Sequence, residues 1–335
     1  MKKKKNPLVS DDSVSAILQI ATAYQKSKIL LTACELDIFT ALSDGPRTAK
    51  ELAYELGTDE RATDRLMSAL CAIRLLEKVG GQYMNTTGTN RFLVKGQPEY
   101  LGDLMHISHL WDTWGTLTEC VRIGTAAEYS DINDKSDEWV ESFVESLHRQ
   151  AVLKAPDVVS MINLHDVKKV LDVGGDSGLY AMEFVKAKPD IQATVFDLPK
   201  VIDQCHKHLD REGFTSEINT IPGFFLEDSW GSGYDIVFMS SLIHLFSIWE
   251  NIKLMKKAFD SLKKGGRLIV EEQLIDDTRT SPTSAAMLAI NMLVNTEGGD
   301  AYTETDVWIM MREAWLTDIR RVQTEFGTSL MIGYK

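Results

Sequence analysis

Lys169-Val170-Leu171-Asp172-Val173-Gly174-Gly175-Asp176-Ser177-Gly178 is the stretch on which the reading of this chain turns. An apolar run enters a glycine-rich turn, and Tyr180, Met182, Phe184 and Val185 then recur as in a helix. A second strand-like run, Thr194-Val195-Phe196, ends on Asp197. Strand, glycine turn, helix and a second strand tipped by an acid make up a nucleoside-binding βαβ unit. The glycines keep the turn tight and let backbone approach a ligand. Asp197, about twenty residues past the turn, is placed to take both hydroxyls of a ribose.

The spacing also bears on which nucleoside. A dinucleotide site reads G-x-G-x-x-G and seats a pyrophosphate on a helix N-terminus. Here the pattern is Asp-x-Gly-x-Asp-x-Gly, with Asp172 and Asp176 where a diphosphate would lie. Acids there repel phosphate and attract a cationic or zwitterionic ligand. S-adenosylmethionine, with a sulfonium, an ammonium, a ribose and no phosphate, meets that description.

Working outward toward the C-terminus, strand-like runs at 170–173, 193–196, 218–221, 236–239 and 268–270 alternate with helix patterns at 180–185, 201–209 and 252–262. Such alternation predicts an α/β fold with a parallel sheet covered by helices on both faces. Lys263-Lys264-Gly265-Gly266 reads as a helix stop. The runs 319–322 and 329–332, flanking Phe326-Gly327, suit a terminal hairpin.

Toward the N-terminus, about the first hundred residues read as helices. Thr48-Ala49-Lys50-Glu51 is a capping box, and its helix stops at Gly57. A second helix is expected from near Asp59 through Leu75-Leu76 to just before Gly80-Gly81, with Gln82-Tyr83-Met84-Asn85 as a wing strand. Helix, turn, helix and wing describe a winged helix. Its recognition-helix region carries Arg61, Arg65, Arg74 and Lys78 but also Asp59, Glu60, Asp64 and Glu77, so it lacks a phosphate-binding footprint. The apolar N-terminal helices suit burial against a second subunit. From Leu101 to Leu164 the chain is again helical, with Met105, His106, His109, Trp111 and Trp114 clustered, which suits either core packing or a substrate wall. The expected division is 1–100 winged helix, 101–164 helical linker and 165–335 nucleoside-binding domain.

Composition limits the function. A net charge of −13 over 335 residues argues against nucleic acid as the main partner. The lysine-rich start is interrupted by Pro7 and Asp11-Asp12, so it lacks the apolar core of a signal peptide. No run approaches a membrane span, and a cytoplasmic protein is expected. Cys34, Cys71, Cys120 and Cys205 form no C-x-x-C pair and read as buried free thiols; the histidines show no metal spacing.

Taken in order, these marks resemble the class I S-adenosylmethionine-dependent methyltransferases. More narrowly, the chain resembles the O-methyltransferase family that includes plant caffeic acid enzymes, acetylserotonin O-methyltransferase and bacterial antibiotic and pigment methyltransferases. The marks are Glu51-Leu52-Ala53, the 172–178 turn, Phe196-Asp197-Leu198-Pro199, Leu242-Ile243-His244, the 266–272 strand ending in Glu271-Glu272, and Glu297-Gly298-Gly299 before Tyr302-Thr303. The resemblance implies a Rossmann-like sheet, an N-terminal dimerisation domain and a homodimer. It implies S-adenosylmethionine held by Asp172, Gly174, Gly175, Gly178, Asp197, Leu198, Phe224, Phe225 and Ser240. Phe224-Phe225 stand where plant relatives have Asp-Met, and Ser240 where the family has lysine.

By the same resemblance His244 is the general base and Glu272 its orienting carboxylate. The family's third acid falls on Ala301, with Asp300 one place off. An aromatic or polyketide-like acceptor would be walled by Met105, His109, Trp114, Asn291 and Met292. A histidine suits the chemistry, because a phenolate attacks a sulfonium methyl far better than a phenol does. The alternatives are carbon methylation of a pigment or tetrapyrrole ring, a winged-helix regulator that senses the cofactor, and a silent dimerising scaffold.

Overall fold

The computed structural model describes residues 14–102 and 104–335; the lysine-rich start, with Pro7 and Asp11-Asp12, lies outside the described residues. The chain divides into two compact units, one running to Ser108 and the other from His109 to Lys335.

The first unit contains α1 (Val14–Thr22), α2 (Tyr24–Glu35), α3 (Ile38–Ala41), α4 (Ala49–Leu56), α5 (Glu60–Ala72), the hairpin β1 (Leu76–Val79) and β2 (Gln82–Asn85), and α6 (Thr87–Phe92). The capping box of α4 is formed, with Thr48 N–H donating to the Glu51 carboxylate at 2.7 Å, and Gly57 ends the helix at φ 64°. The expected second helix is too long. It ends at Ala72, Arg74 turns left-handed, and Leu76–Val79 pairs antiparallel with Gln82–Asn85. Gly80 and Gly81 explain the difference: both have positive φ, as a two-residue hairpin turn requires, so the residues before them are drawn into a strand. Phe39, Leu52, Met67, Leu70 and Tyr83 form the core of this unit. Arg65 and Lys78 are both paired with Asp64, so part of the basic charge of this region is neutralised within it.

After α7 (Leu104–Gly115), within which the unit boundary falls, come α8 (Leu117–Ile123), α9 (Asp137–Val152) and α10 (Ala155–Ser160). The alternating part follows as β3 (Lys169–Val173), α11 (Leu179–Ala187), β4 (Gln192–Asp197), α12 (Pro199–Glu212), β5 (Ile218–Pro222), β6 (Tyr234–Ser240), α13 (Ile248–Ser261), β7 (Leu262–Glu272), α14 (Thr283–Asn295), α15 (Glu304–Glu313), β8 (Thr317–Gln323) and β9 (Ser329–Tyr334). Among the described residues seven strands form one sheet in the order β5-β4-β3-β6-β7-β9-β8. The first five are parallel, and the hairpin β8–β9 adds two antiparallel strands at one edge. Side-chain alternation separates two cores: Leu171, Val237 and Leu268 pack on one face, Val170, Ile236 and Ile269 on the other. The helix before Lys263 stops where expected, but Lys263–Gly266 belong to a strand and are not its cap. α13 ends at Ser261 and passes directly into β7, where Gly265 N–H donates to Lys335 O and the pairing with β6 shifts register. The glycines allow an irregular strand rather than a cap.

The strand order reverses between β3 and β6. A ligand site is expected at the carboxyl ends of the strands beside that reversal. Both the glycine turn after β3 and the His244 turn after β6 lie there.

Candidate active site

The turn after β3 is shaped by close approach. Gly174 has φ 71°, and a β-carbon on it would stand 2.8 Å from Leu242. On Gly175 it would stand 2.8 Å from a carboxylate oxygen of Asp172 and 2.9 Å from Val195. Gly178, at φ 77°, opens α11. Asp176, in the same turn, and Ser241, at the entry to the His244 turn, hold φ of 50° and 52° without being glycine, which is strained backbone beside a site.

Three carboxylates converge on this turn. Asp172 is 1% exposed; Oδ2 accepts from Ala181 N–H at 3.2 Å, and Oδ1 has no hydrogen-bond partner. Asp197 accepts from Asp176 N–H at 2.9 Å and Leu198 N–H at 2.7 Å. Burial pushes Asp172 and Asp197 up to about 7, with the charge of Asp197 a further cause for Asp172. Asp176 is likewise raised, by burial and then by Asp197 and Asp172. Buried carboxylates crowded together are stabilised by a cation. The unpartnered Asp172 oxygen and a turn with no space for β-carbons therefore fit the positively charged, phosphate-free nucleoside.

The second cluster lies in the turn at Ile243–Leu245, a short 3-10 segment after β6. His244 Nδ1 is 3.0 and 3.1 Å from the two carboxylate oxygens of Glu272, which is 2% exposed. The backbone of this turn is held on several sides. Fully buried Asn251 of α13 donates from Nδ2 to Ile243 O at 2.8 Å and Phe246 O at 3.0 Å. Tyr302 donates its hydroxyl to Phe246 O, and Ser241 N–H donates to Glu271 O at 2.9 Å. α13 itself starts with a capping box at Ser247 and Glu250.

The remaining expected residues are distributed unevenly. Asp300 donates its N–H to His244 O at 3.0 Å, while its carboxylate takes Arg279 at 2.9 Å, so it meets the backbone of the histidine rather than its ring. Trp114 Nε1 donates to Asn291 Oδ1 at 3.0 Å, and Met292, 5% exposed, lies one residue on in α14, which packs against the His244 turn. His109 is engaged by α9, with Ser142 Oγ 3.3 Å from Nδ1 and Trp139 stacked on its ring. Met105 belongs to the first unit. Phe225 is buried against Phe196 and Phe246, whereas Phe224 is half exposed. Ser240 donates to Glu271 at 2.6 Å.

Some residues around the site escaped the sequence reading. Asn251 and Arg279 carry no local motif. Glu271 had a signal, since its neighbour Glu272 was singled out and alternation along a strand sends adjacent side chains to opposite faces. Cys120 and Cys205 are buried thiols as expected, while Cys34 and Cys71 are half-buried. Among the described residues no group of three His, Cys, Asp or Glu is placed to hold a metal ion, and no helix is long and apolar enough to cross a membrane.

Comparison with known proteins identifies the family. Residues 120–314 match the O-methyltransferase domain and residues 18–95 the O-methyltransferase dimerisation domain. The chain is 31% identical to 3-hydroxy-5-methyl-1-naphthoate 3-O-methyltransferase of Streptomyces sahachiroi, over 92% of this chain and 90% of that one. It is 27% identical to the tetracenomycin polyketide synthesis 8-O-methyl transferase of Streptomyces glaucescens, over 95% and 96%. In fold it is similar to PigF solved with SAH, at a TM-score of 0.89 and 24% identity, covering 96% of this chain and all of that one.

The sheet order and the turn beside its reversal are those of a class I methyltransferase fold. With both halves matched, the chain belongs to the S-adenosylmethionine-dependent O-methyltransferase family.

Proposed function

We propose that this O-methyltransferase acts on a hydroxylated aromatic or polyketide-like small molecule, with His244 as general base and Glu272 as the carboxylate that orients it. The contact of His244 Nδ1 with both Glu272 oxygens carries this reading. An ionised carboxylate only accepts, so Nδ1 holds its proton and Nε2 is left with the lone pair. A neutral imidazole in that tautomer removes a proton from an acceptor hydroxyl, and the resulting imidazolium is stabilised by Glu272.

Bound S-adenosylmethionine supplies an electrophilic methyl group on a sulfonium. The protein's own contribution is positioning and one proton transfer. Asp197 takes the ribose hydroxyls, and Asp172 with the 174–178 turn takes the methionine portion. Leu198, Phe224 and Phe225 would hold the adenine, and Ser240 acts through Glu271. Asp300, tied to Arg279, fixes the His244 backbone instead of its ring. Trp114 and Asn291, joined by their hydrogen bond, and Met292 and His109 wall the acceptor side, while Met105 keeps only the expectation drawn from the sequence.

The acceptor class draws support from the naphthoate and polyketide substrates in the names of the two relatives. The dimerisation-domain match supports a homodimer. A chain of net charge −13 working on a diffusible small molecule suits the cytoplasm, without nucleic acid or membrane as partner.

The test pairs binding with turnover. His244→Ala retains affinity for S-adenosylhomocysteine by calorimetry and loses methyl transfer to a phenol or hydroxynaphthoate, read as a one-methyl mass shift. Undiminished transfer by that variant would remove the base assignment.

A further inference from the structure

Asp172, Ser240 and Glu271 stand at the carboxyl ends of three neighbouring strands, β3, β6 and β7. They share the sheet face that carries α11: Asp172 bonds the N–H of Ala181, and Tyr180 packs its ring on Phe238, two residues before Ser240. Glu271 is fully buried on that face, while Glu272 turns to the opposite one and His244. A buried carboxylate requires a partner. Here it is Lys154, at the start of α10, whose Nζ lies 3.1 and 3.0 Å from the two Glu271 oxygens and whose side chain is 14% exposed. Ser240 Oγ supplies a further bond at 2.6 Å. The charge of Lys154 also reaches the glycine turn, where it opposes the upward shift of Asp176.

The other polar pair at the turn brings no positive charge: Ser177 Oγ lies 2.8 Å from His148 Nδ1, and burial lowers that imidazole to about 4. Asp172, Asp176 and Asp197 suit the ammonium and hydroxyls of a nucleoside amino acid, but its carboxylate needs a cation, and an amino acid presents both charges within a few bonds. Lys154 stands among these groups, and two of its three N–H donors are spent on Glu271. We propose that Lys154, held in place by Glu271 and Ser240, receives the carboxylate of the cofactor's methionine portion. This rests on the cofactor reading above and deepens it: a serine at position 240 supplies no charge, and the cation is delivered from the α9–α10 junction with Glu271 as its support. Glu271 is thereby a positioning residue, and the buried ion pair becomes part of ligand selection rather than of stability alone.

The test compares S-adenosylhomocysteine with its decarboxylated counterpart, S-adenosyl-3-thiopropylamine, by calorimetry. The native protein is expected to favour the carboxylate-bearing ligand by about tenfold or more, the scale of one charged hydrogen bond. Lys154→Met alone strands the Glu271 charge, so the double variant Lys154→Met with Glu271→Gln is measured beside it. The double variant should bind the two ligands within about twofold of each other, and Lys154→Arg should keep the native preference. Equal weakening toward both ligands, or a preference unchanged in the double variant, overturns the assignment and leaves a structural ion pair. A native protein that binds both ligands equally overturns it too. A native protein that binds neither sinks the cofactor reading itself.

Discussion

The α-carbon of Gly299 lies so close to the carbonyl oxygen of His244 that any β-carbon there would overlap it. The neighbouring Gly298 approaches Ser247, the residue that caps α13, with a β-carbon distance of 3.0 Å. The paired glycines therefore let the 296–301 loop lie flat on the histidine turn, where Asp300 N–H completes the contact. Gly299→Ala is expected to displace His244 by some tenths of an ångström while leaving the glycine turn after β3 untouched. A catalytic group misplaced on the scale of an ångström costs about a hundredfold, so kcat should fall between about tenfold and a hundredfold. Affinity for S-adenosylhomocysteine should stay within about twofold of native. Loss of cofactor affinity in step with kcat would show that the loop serves the nucleoside instead.

Glu272→Gln tests the orienting carboxylate separately from the base. The amide has the same shape, but its nitrogen can donate to Nδ1 and so favour the tautomer with the proton on Nε2, where no lone pair is left to act. Turnover should drop by about 10²- to 10⁴-fold, the contribution general base catalysis makes. Replacing a buried carboxylate with an amide should leave the melting temperature close to native. Activity near the native level would mean that the histidine is oriented by other contacts.

The βαβ unit was legible because its signals are local: glycine spacing, strand runs and the acid at the second strand's end lie within one short segment. The strand positions from the apolar runs fall inside β3, β4, β5, β6 and β7. Local signals failed where a neighbour competed. The stretch before Gly80-Gly81 keeps an apolar content suited to a helix, yet two positive φ values make a hairpin of it. Long-range partners left no pattern at all. Lys154 and Glu271 are 117 residues apart, and Arg279 reaches Asp300 across 21, so neither ion pair is written in any periodicity. His244 and Glu272, 28 apart, were paired only through the family resemblance, which carries tertiary information that spacing lacks.

Asp172 and Asp197 make a proton-linked prediction. Both are raised by burial to about 7, well above a free carboxyl near pH 4. A raised carboxyl favours the folded state while protonated. Its contribution is fully present below about pH 4 and is lost as pH rises through about 7. The ligand-free protein should therefore lose thermal stability over that range. A cation seated beside these groups lowers their pKa, so cofactor binding near pH 7 should release protons and tighten as pH rises. Calorimetry in buffers of different ionisation enthalpy measures the release, and Asp197→Asn should reduce it. Proton uptake, or none at all, would contradict the charged-ligand account of this turn.

The exposed apolar residues of α1 set the last expectation. Val14, Ile17, Leu18 and Ile20 are between 57% and 74% exposed in the single chain, and the dimerisation-domain match begins at residue 18. Apolar side chains gathered on one short helix are costly in water, and burying each one contributes about 1.5–3 kcal/mol. A second copy of the chain is the occupant that this match favours. The native protein should sediment at twice the mass of one chain. The double variant Ile17→Asp with Ile20→Asp removes two such burials on each subunit and places charges where a partner would pack, so the dimer should weaken more than about a hundredfold and dissociate at micromolar concentration. Its second unit should still bind S-adenosylhomocysteine, because the glycine turn and its three acids lie wholly within residues 109–335. A native monomer, or a double variant that remains dimeric, would show that these residues have another use.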